Sequence, residues 1–204
     1  MLIDTSNGDV LDKLTILEIK QSKIKDEVRL IEIKKEIDVL SDAIKIKNEY
    51  ILYYKLLLYI NESIWNTCDE VENMKELNNN YAQKSFLIFN LNHQRFRVKN
   101  IINKLTYSNI KEQKGYTQHT IILCLEEDIT IHDIIVKCLY LILHYNEVIL
   151  INNKYSVDHI RVIKQYIPFI TYMHTCDDFN TIYNVTDSKV LDKISDIIHS
   201  ILFL

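Results

Sequence analysis

The chain has 204 residues, 48% of them hydrophobic, enough for a packed core in one large domain or two small ones. A formal net charge of −4 and a pI near 6.0 provide no global basic field to hold nucleic acid. The charge is uneven: residues 1–116 carry 18 Lys and Arg against 17 Asp and Glu, whereas residues 117–204 carry 6 against 11, which assigns any anionic ligand to the first part.

Cys68, Cys124, Cys138 and Cys176 lie far apart with no C-x-x-C pair, and no secretory apolar segment opens the chain. Reduced thiols in a cytoplasmic setting are expected. The most apolar run, YILYYKLLLYI at 50–60, is too short to span a bilayer and carries Lys55 in its middle. Two Gly and one Pro beside abundant Ile, Asn, Lys and Tyr are the usage of an AT-rich genome, as in giant viruses or some protists, for which the compartment is the host cytoplasm or the virion.

From Ser6 to about residue 106 the periodicity predicts helix throughout. Ser6 followed by Asp9 has the spacing of a capping box, which satisfies amide donors at a helix start. Apolar positions recur at helical spacing through Val28, Ile31, Ile37 and Leu40, again from Tyr54 to Trp65, and again from Phe86 to Leu105. Asn78, Asn79 and Asn80 separate the last two segments. The expectation is an antiparallel bundle of about four helices over 1–116.

After Tyr116 the pattern changes. TIILCL, EVILIN and FITYMH read as buried parallel strands, and HDIIVKCLYLILHY, SVDHIRVIKQY and DSKVLDKISDIIHSILFL as the intervening helices. The order β-α-β-α-β-α predicts a small three-stranded parallel α/β unit, half-Rossmann-like, over 117–204. The expected class is therefore α+α/β, in two domains.

Within the helical part, charged and amide side chains fall on apolar faces. Glu18 projects between Leu11 and Leu14, on the face shared by Val10 and Leu17. Asn61 falls among Tyr54, Leu57, Leu58, Ile64 and Trp65, while Asn92, Arg95, Lys99 and Asn103 form one stripe of the last long helix. Two readings are open. In the first, these groups form a structural network, with Glu18 paired to Arg95 or Lys99, because an unpaired buried charge costs several kcal/mol or more, roughly. In the second, Lys13, Arg95 and Lys99 line a pocket for an anionic, sugar-type ligand, with Asp12 and Glu18 orienting the cations and Asn61, Asn92 and Asn103 reading hydroxyls. A solvent-exposed stripe is the remaining alternative. Ile16 and Ile19 face away from Leu11, Leu14 and Leu17, so the first helix is either central in its bundle or touches a partner, such as a second copy of the chain.

GDVLDKLTILEIK at 8–20, INESIW at 60–65, NHQRFRVKNIIN at 92–103 and KEQKGY at 111–116 together resemble a bacterial and viral family, DUF6165, over residues 1–116. The resemblance implies no established activity. It does imply an association with sugar transfer and surface-polysaccharide assembly, because members are often encoded with or fused to such proteins. HYNEVILINN at 144–153 is loosely similar to the first nucleotide-fold half of heptosyltransferase-like glycosyltransferases. Those enzymes carry a Gly-containing turn after the first strand. Here that stretch reads LEEDITIHD, and residues 117–204 contain no glycine to admit a close backbone approach to pyrophosphate.

The seven histidines form no H-x-x-x-H or H-E-x-x-H pair, and no motif calls for a metal or cofactor. HTC at 174–176 would bring imidazole and thiol to the carboxyl edge of the sheet, but no orienting group accompanies them. His132 and Asp133 read as the first turn of a capped helix. The preferred expectation is a non-catalytic binding or scaffold protein linked to glycan assembly. The alternatives are an enzyme, or enzyme subunit, acting on a sugar nucleotide or phosphorylated sugar, and a purely structural helical interaction module.

Overall fold

Ser6 caps the first helix, α1 (Asn7–Lys23): its Oγ accepts the Asp9 N–H at 3.1 Å and its hydroxyl donates to the Asp9 carboxylate at 2.6 Å. The computed structural model describes residues 4–115, 120–124, 129–145, 147–151, 157–173 and 188–202, and the chain divides into two units, 1–114 and 115–204.

In the first unit α1 is followed by α2 (Glu27–Val39), α3 (Ala43–Glu49), α4 (Ile51–Glu72) and α5 (Asn79–Leu105). Asp26 and Asn78 cap α2 and α5 through side-chain acceptance of amides three residues on. α1 touches each of the other four helices, so it carries apolar residues around most of its circumference. Leu11, Leu14 and Leu17 are buried on one side and Ile19 on another, while Ile16 is half-buried. Ile19 is thus a core residue, and the doubled apolar face comes from α1's central position.

The densest packing joins α1, α4 and α5 through Leu11, Leu56, Leu57, Ile60, Val98 and Ile102, all fully buried. Each such side chain contributes about 1.5–3 kcal/mol. One register expectation fails in α2. Val28 and Ile31 are exposed, and the inward stripe runs instead through Leu30, Ile33, Ile37 and Leu40. Only Ile33 is fully buried, because α2 covers one flank of α1 and carries seven charged residues in its thirteen. The linking stretch that read as continuous helix contains α3, a fifth short helix in place of the expected four.

The second unit is built from β1 (Thr120–Cys124), α6 (Ile131–His144), β2 (Glu147–Ile151), α7 (Val157–Tyr166), β3 (Thr171–Met173) and α8 (Ser188–Leu202). The sheet has order β1-β2-β3 with both pairs parallel, Leu123, Leu150 and Tyr172 lying side by side across it. Ile121, Leu123, Val148 and Leu150 turn to the buried face, and α6, packed against β2, α7 and α8, buries Ile134, Ile135, Leu139, Ile142 and Leu143 among others. The fold is α+α/β: a helical bundle followed by a small three-stranded parallel unit. No helix among the described residues is long and apolar enough to cross a membrane.

Candidate functional site

The polar groups of α1, α4 and α5 meet where Asp12 faces Arg95. Asp12 is buried, and its carboxylate accepts charge-assisted hydrogen bonds from the guanidinium, Nε to Oδ1 at 2.8 Å and to Oδ2 at 3.1 Å, and Nη2 to Oδ2 at 2.5 Å. The planar fork of Arg matches both carboxylate oxygens at once. Asn61 of α4, also buried, donates its Nδ2 to Asp12 Oδ1 at 2.8 Å and to Thr15 Oγ1 at 2.7 Å. Thr15 in turn donates to the Asp12 carbonyl, so every member is engaged. Asn92 flanks the group, its Nδ2 donating to the Ile88 carbonyl and its Oδ1 3.5 Å from Arg95 Nη1.

One turn further along α5, Lys99 stands between Asp9 at 2.6 Å and Glu112 at 2.8 Å, with Lys114 3.5 Å from the same Glu112. Asn103 accepts the Gly8 N–H on Oδ1 at 2.6 Å, and Ser108 accepts the Asn7 N–H at 3.2 Å. The first amides of α1, orphaned in any helix, are therefore satisfied by α5 and the segment after it. α1 and α5 approach so closely here that a Cβ on Gly8 would lie 2.5 Å from the Lys99 carbonyl oxygen and 2.8 Å from Asn103 Oδ1.

The two remaining candidates lie elsewhere. Lys13 points away from α5 and pairs with Glu36 of α2 at the surface, 2.9 Å apart. Glu18 pairs with neither Arg95 nor Lys99. Its partner is Lys47 of α3 at 2.6 Å, and that ammonium also lies 4.5 Å from the centroid of the Tyr54 ring. Position sets this partner: Glu18 is nearly two turns beyond Asp12, and Arg95 is taken up by Asp12. Its charge sits at the edge of the apolar face, half-exposed, while Leu14 and Leu17 fill the interior.

Burial opposes the charge on Asp9, but hydrogen bonds from Lys99 and Ser6 and the nearby cations outweigh it and hold the carboxyl below its ordinary value of 3.8. Burial likewise opposes the Lys99 charge, and hydrogen bonds to Asp9 and Glu112 overcome it, raising Lys99 above 10.5. A lowered carboxyl stabilises the fold above its unfolded pKa and loses that contribution as pH falls through its folded value; a raised lysine contributes below its unfolded pKa and loses that as pH rises through its folded value. The pair therefore supports the bundle on a plateau between these limits. Lys99→Met should lower stability on the plateau, and its deficit relative to wild type should shrink below about pH 4, as read from urea unfolding at several pH values. A deficit unchanged at low pH would show that Asp9 does not depend on Lys99.

Beside this network, at the start of α1, a cleft of about 260 Å³ is lined by Asp4, Thr5, Asn7, Tyr107, Ser108, Asn109 and Ile110. It forms because α5 ends in a left-handed turn: Tyr107 has φ +50°, the Ser108 N–H donates to the Asn103 carbonyl at 2.9 Å, and the Tyr107 N–H donates to Lys104 at 3.3 Å. This is the two-bond helix stop that ordinarily carries glycine at the Tyr107 position. The Tyr107 ring is left 89% exposed over the cleft. Neither Tyr107 nor Ser108 is part of a periodic pattern, so the periodicity gave no sign of the cleft.

In the second unit Thr130 caps α6, its Oγ1 accepting the Asp133 N–H at 3.1 Å while its hydroxyl donates to the Asp133 carboxylate at 2.6 Å. His132 Nε2 lies 2.9 Å from Ser195 Oγ of α8. His119, His174, Cys176, Asp177 and Asp178 fall outside the described residues. Among the described residues no three His, Cys, Asp or Glu side chains gather in a metal-binding group.

No curated protein and no solved structure matches the chain, and nothing beyond the sequence supports the loose likeness of residues 117–204 to glycosyltransferases. One family does match, over residues 1–125, which takes in the whole of the helical unit with its Asp12–Arg95 network and its cleft. On that match, and on the four motifs that build the network, the chain belongs to DUF6165, a family of unknown function.

Proposed function

We propose that this protein is a non-catalytic binding or scaffold protein whose polar network holds the bundle together, and whose ligand, a hydroxyl-rich sugar-type molecule, docks in the cleft beside Tyr107. The observation that carries the first part is that the clustered charges answer one another. Asp9, Asp12 and Glu112 face Arg95, Lys99 and Lys114. Asp9 and Lys99 are pushed further from neutrality, the opposite of what a general base or a nucleophilic lysine requires. An anion entering here would have to displace a carboxylate already bonded to Arg95 at two points, which argues against the anionic pocket.

The cleft has different chemistry. It offers amides and hydroxyls, the single carboxylate of Asp4, no cation, and an apolar wall of Tyr107 and Ile110. Such a lining suits a small ligand with C–H faces and a rim of hydroxyls, its volume falling just below the roughly 300–1,000 Å³ common for small-molecule sites. A tyrosine held in the left-handed region costs about 1 kcal/mol, and such strain is retained where the side chain is needed. The glycan association implied by the family's gene neighbours agrees with this ligand class.

Thermal-shift measurements with neutral sugars, sugar phosphates and nucleotide sugars test the reading. Wild type should be stabilised by one of the sugars, and Tyr107→Gly should be about 0.5–1 kcal/mol more stable without ligand yet lose the ligand's shift. No shift with any sugar, or a shift kept in Tyr107→Gly, would contradict the cleft; turnover of a nucleotide sugar would contradict the non-catalytic role.

A further inference from the structure

α5 is 27 residues long, and its first twelve are unlike the rest of the surface. From Asn79 to Asn90 no residue is buried, and burial on α5 begins at Leu91. On the outward side of this stretch Phe86 is 63% exposed, Phe89 53% and Leu87 44%, with Leu77 just before the helix at 85%. The Phe86 and Phe89 rings stack at 6.3 Å between centroids, and His93 continues the row 4.3 Å from Phe89. Spacings of three and four residues put these rings on one helix face.

The same stretch is depleted of charge. Between Asn78 and Gln94 the only Lys, Arg, Asp or Glu is Lys84, which is tied back to Glu70 of α4. α2 also exposes Val28, Ile31 and Val39, but seven charges in thirteen residues solvate that helix. An exposed aromatic row without charge, edged by Gln83 and Asn90, has the composition of an interface core.

We propose that this face of α5 is a homodimer interface, in which the α5 helices of two copies pack antiparallel about a twofold axis near Phe86. A second copy is the partner that the chemistry fits. Between Asn78 and Gln94 the face carries no charge but Lys84, which is paired within its own copy, and an antiparallel twofold at Phe86 sets Phe86 against its own mate and Phe89 of each copy over Gln83 of the other. Taking about 150–250 Å² for a fully exposed large side chain, the exposed parts of Phe86, Phe89, Leu87 and Leu77 amount to roughly 370–610 Å² per copy. Adding the flanking polar atoms brings two copies to about 1,000 Å², where specific interfaces begin. The interface is independent of any ligand in the cleft.

The test uses the full chain and light scattering with size exclusion at about 1–100 µM, conditions that bracket a micromolar dimer. Wild type should show twice the 24.3 kDa chain mass. Phe86→Glu and Phe86→Lys, both at an exposed position, should each be monomeric with unchanged helix content, and an equimolar mixture of the two should dimerise again. That recovery is the signature of one residue meeting its own symmetry mate. A monomeric wild type overturns the proposal. So does a dimer that survives both substitutions, or a pair of monomeric variants that do not recombine. Wild type that stays monomeric while binding neutral lipid vesicles through Phe86 would overturn it in favour of a membrane surface.

Discussion

Replacing Asp12 by Ala should destabilise the helical unit by about 3–5 kcal/mol, the range found when one partner of a buried ion pair is removed. Asp12 is 5% exposed and accepts from both Arg95 and Asn61. Without it a guanidinium that is largely enclosed, and whose charge is held chiefly by hydrogen bonding to Asp12, keeps only the longer-range attraction of Glu112 and Asp9. For a unit of this size the loss corresponds to a fall in melting temperature of roughly 10–25 °C, readable by circular dichroism. Asp12→Asn should lie between, since it keeps one acceptor oxygen and loses the charge. Lys13→Ala, one residue along, should have little measurable effect, because its pair with Glu36 stands in solvent. Equal effects at the two positions would show that burial of the Asp12 pair carries no weight.

The second large effect is expected at Gly8. In a helix interior Ala is ordinarily favoured over Gly by about 1 kcal/mol. Gly8→Ala should nevertheless destabilise, by about 1–3 kcal/mol, the usual cost of forcing atoms into a packed site. The added methyl meets a backbone carbonyl, Lys99 O, which cannot swing aside as a side-chain end could. Relief requires α1 and α5 to separate, which would also lengthen the bond from the Gly8 amide to Asn103 and the one between Asp9 and Lys99. Chemical denaturation of Gly8→Ala and of Asn103→Ala distinguishes the causes: a steric origin predicts that removing the Asn103 side chain leaves most of the Gly8→Ala loss, since the Lys99 carbonyl is still there. Stabilisation by Gly8→Ala would mean that the helices are not held at this distance.

Much of the architecture is legible in the sequence because it is written in periodicity. The helical spacing of Leu11, Leu14 and Leu17 and the Ile-rich runs of β1 and β2 require only counting. The cap at Ser6, and Asp133 in the first turn of a capped helix, follow from local chemistry. Partner choice is less visible. A helical wheel places Glu18 and Asp12 on related faces but contains no information on which cation lies opposite, and Lys47 belongs to a short helix that periodicity had merged into its neighbours. Asp9 reads as a cap and also serves as the partner of Lys99; Glu112 lies beyond any helix, so nothing in its own segment announces its role. Gly8 gives no sign in the sequence that α1 and α5 meet there so closely that a Cβ would strike the Lys99 carbonyl. Tyr107 carries no sequence signal, since its left-handed conformation arises from how α5 stops.

The measurement that bears most directly on the closed polar network is a double-mutant cycle on Asp12 and Arg95, with Asp12→Ala, Arg95→Ala and the double variant unfolded in urea alongside wild type. Mutual satisfaction of the two groups predicts a coupling energy of about 2–3 kcal/mol, the double variant being little worse than either single one. A coupling energy below about 0.5 kcal/mol would mean that the two side chains act independently, and would contradict the Asp12–Arg95 pair as a link between α1 and α5.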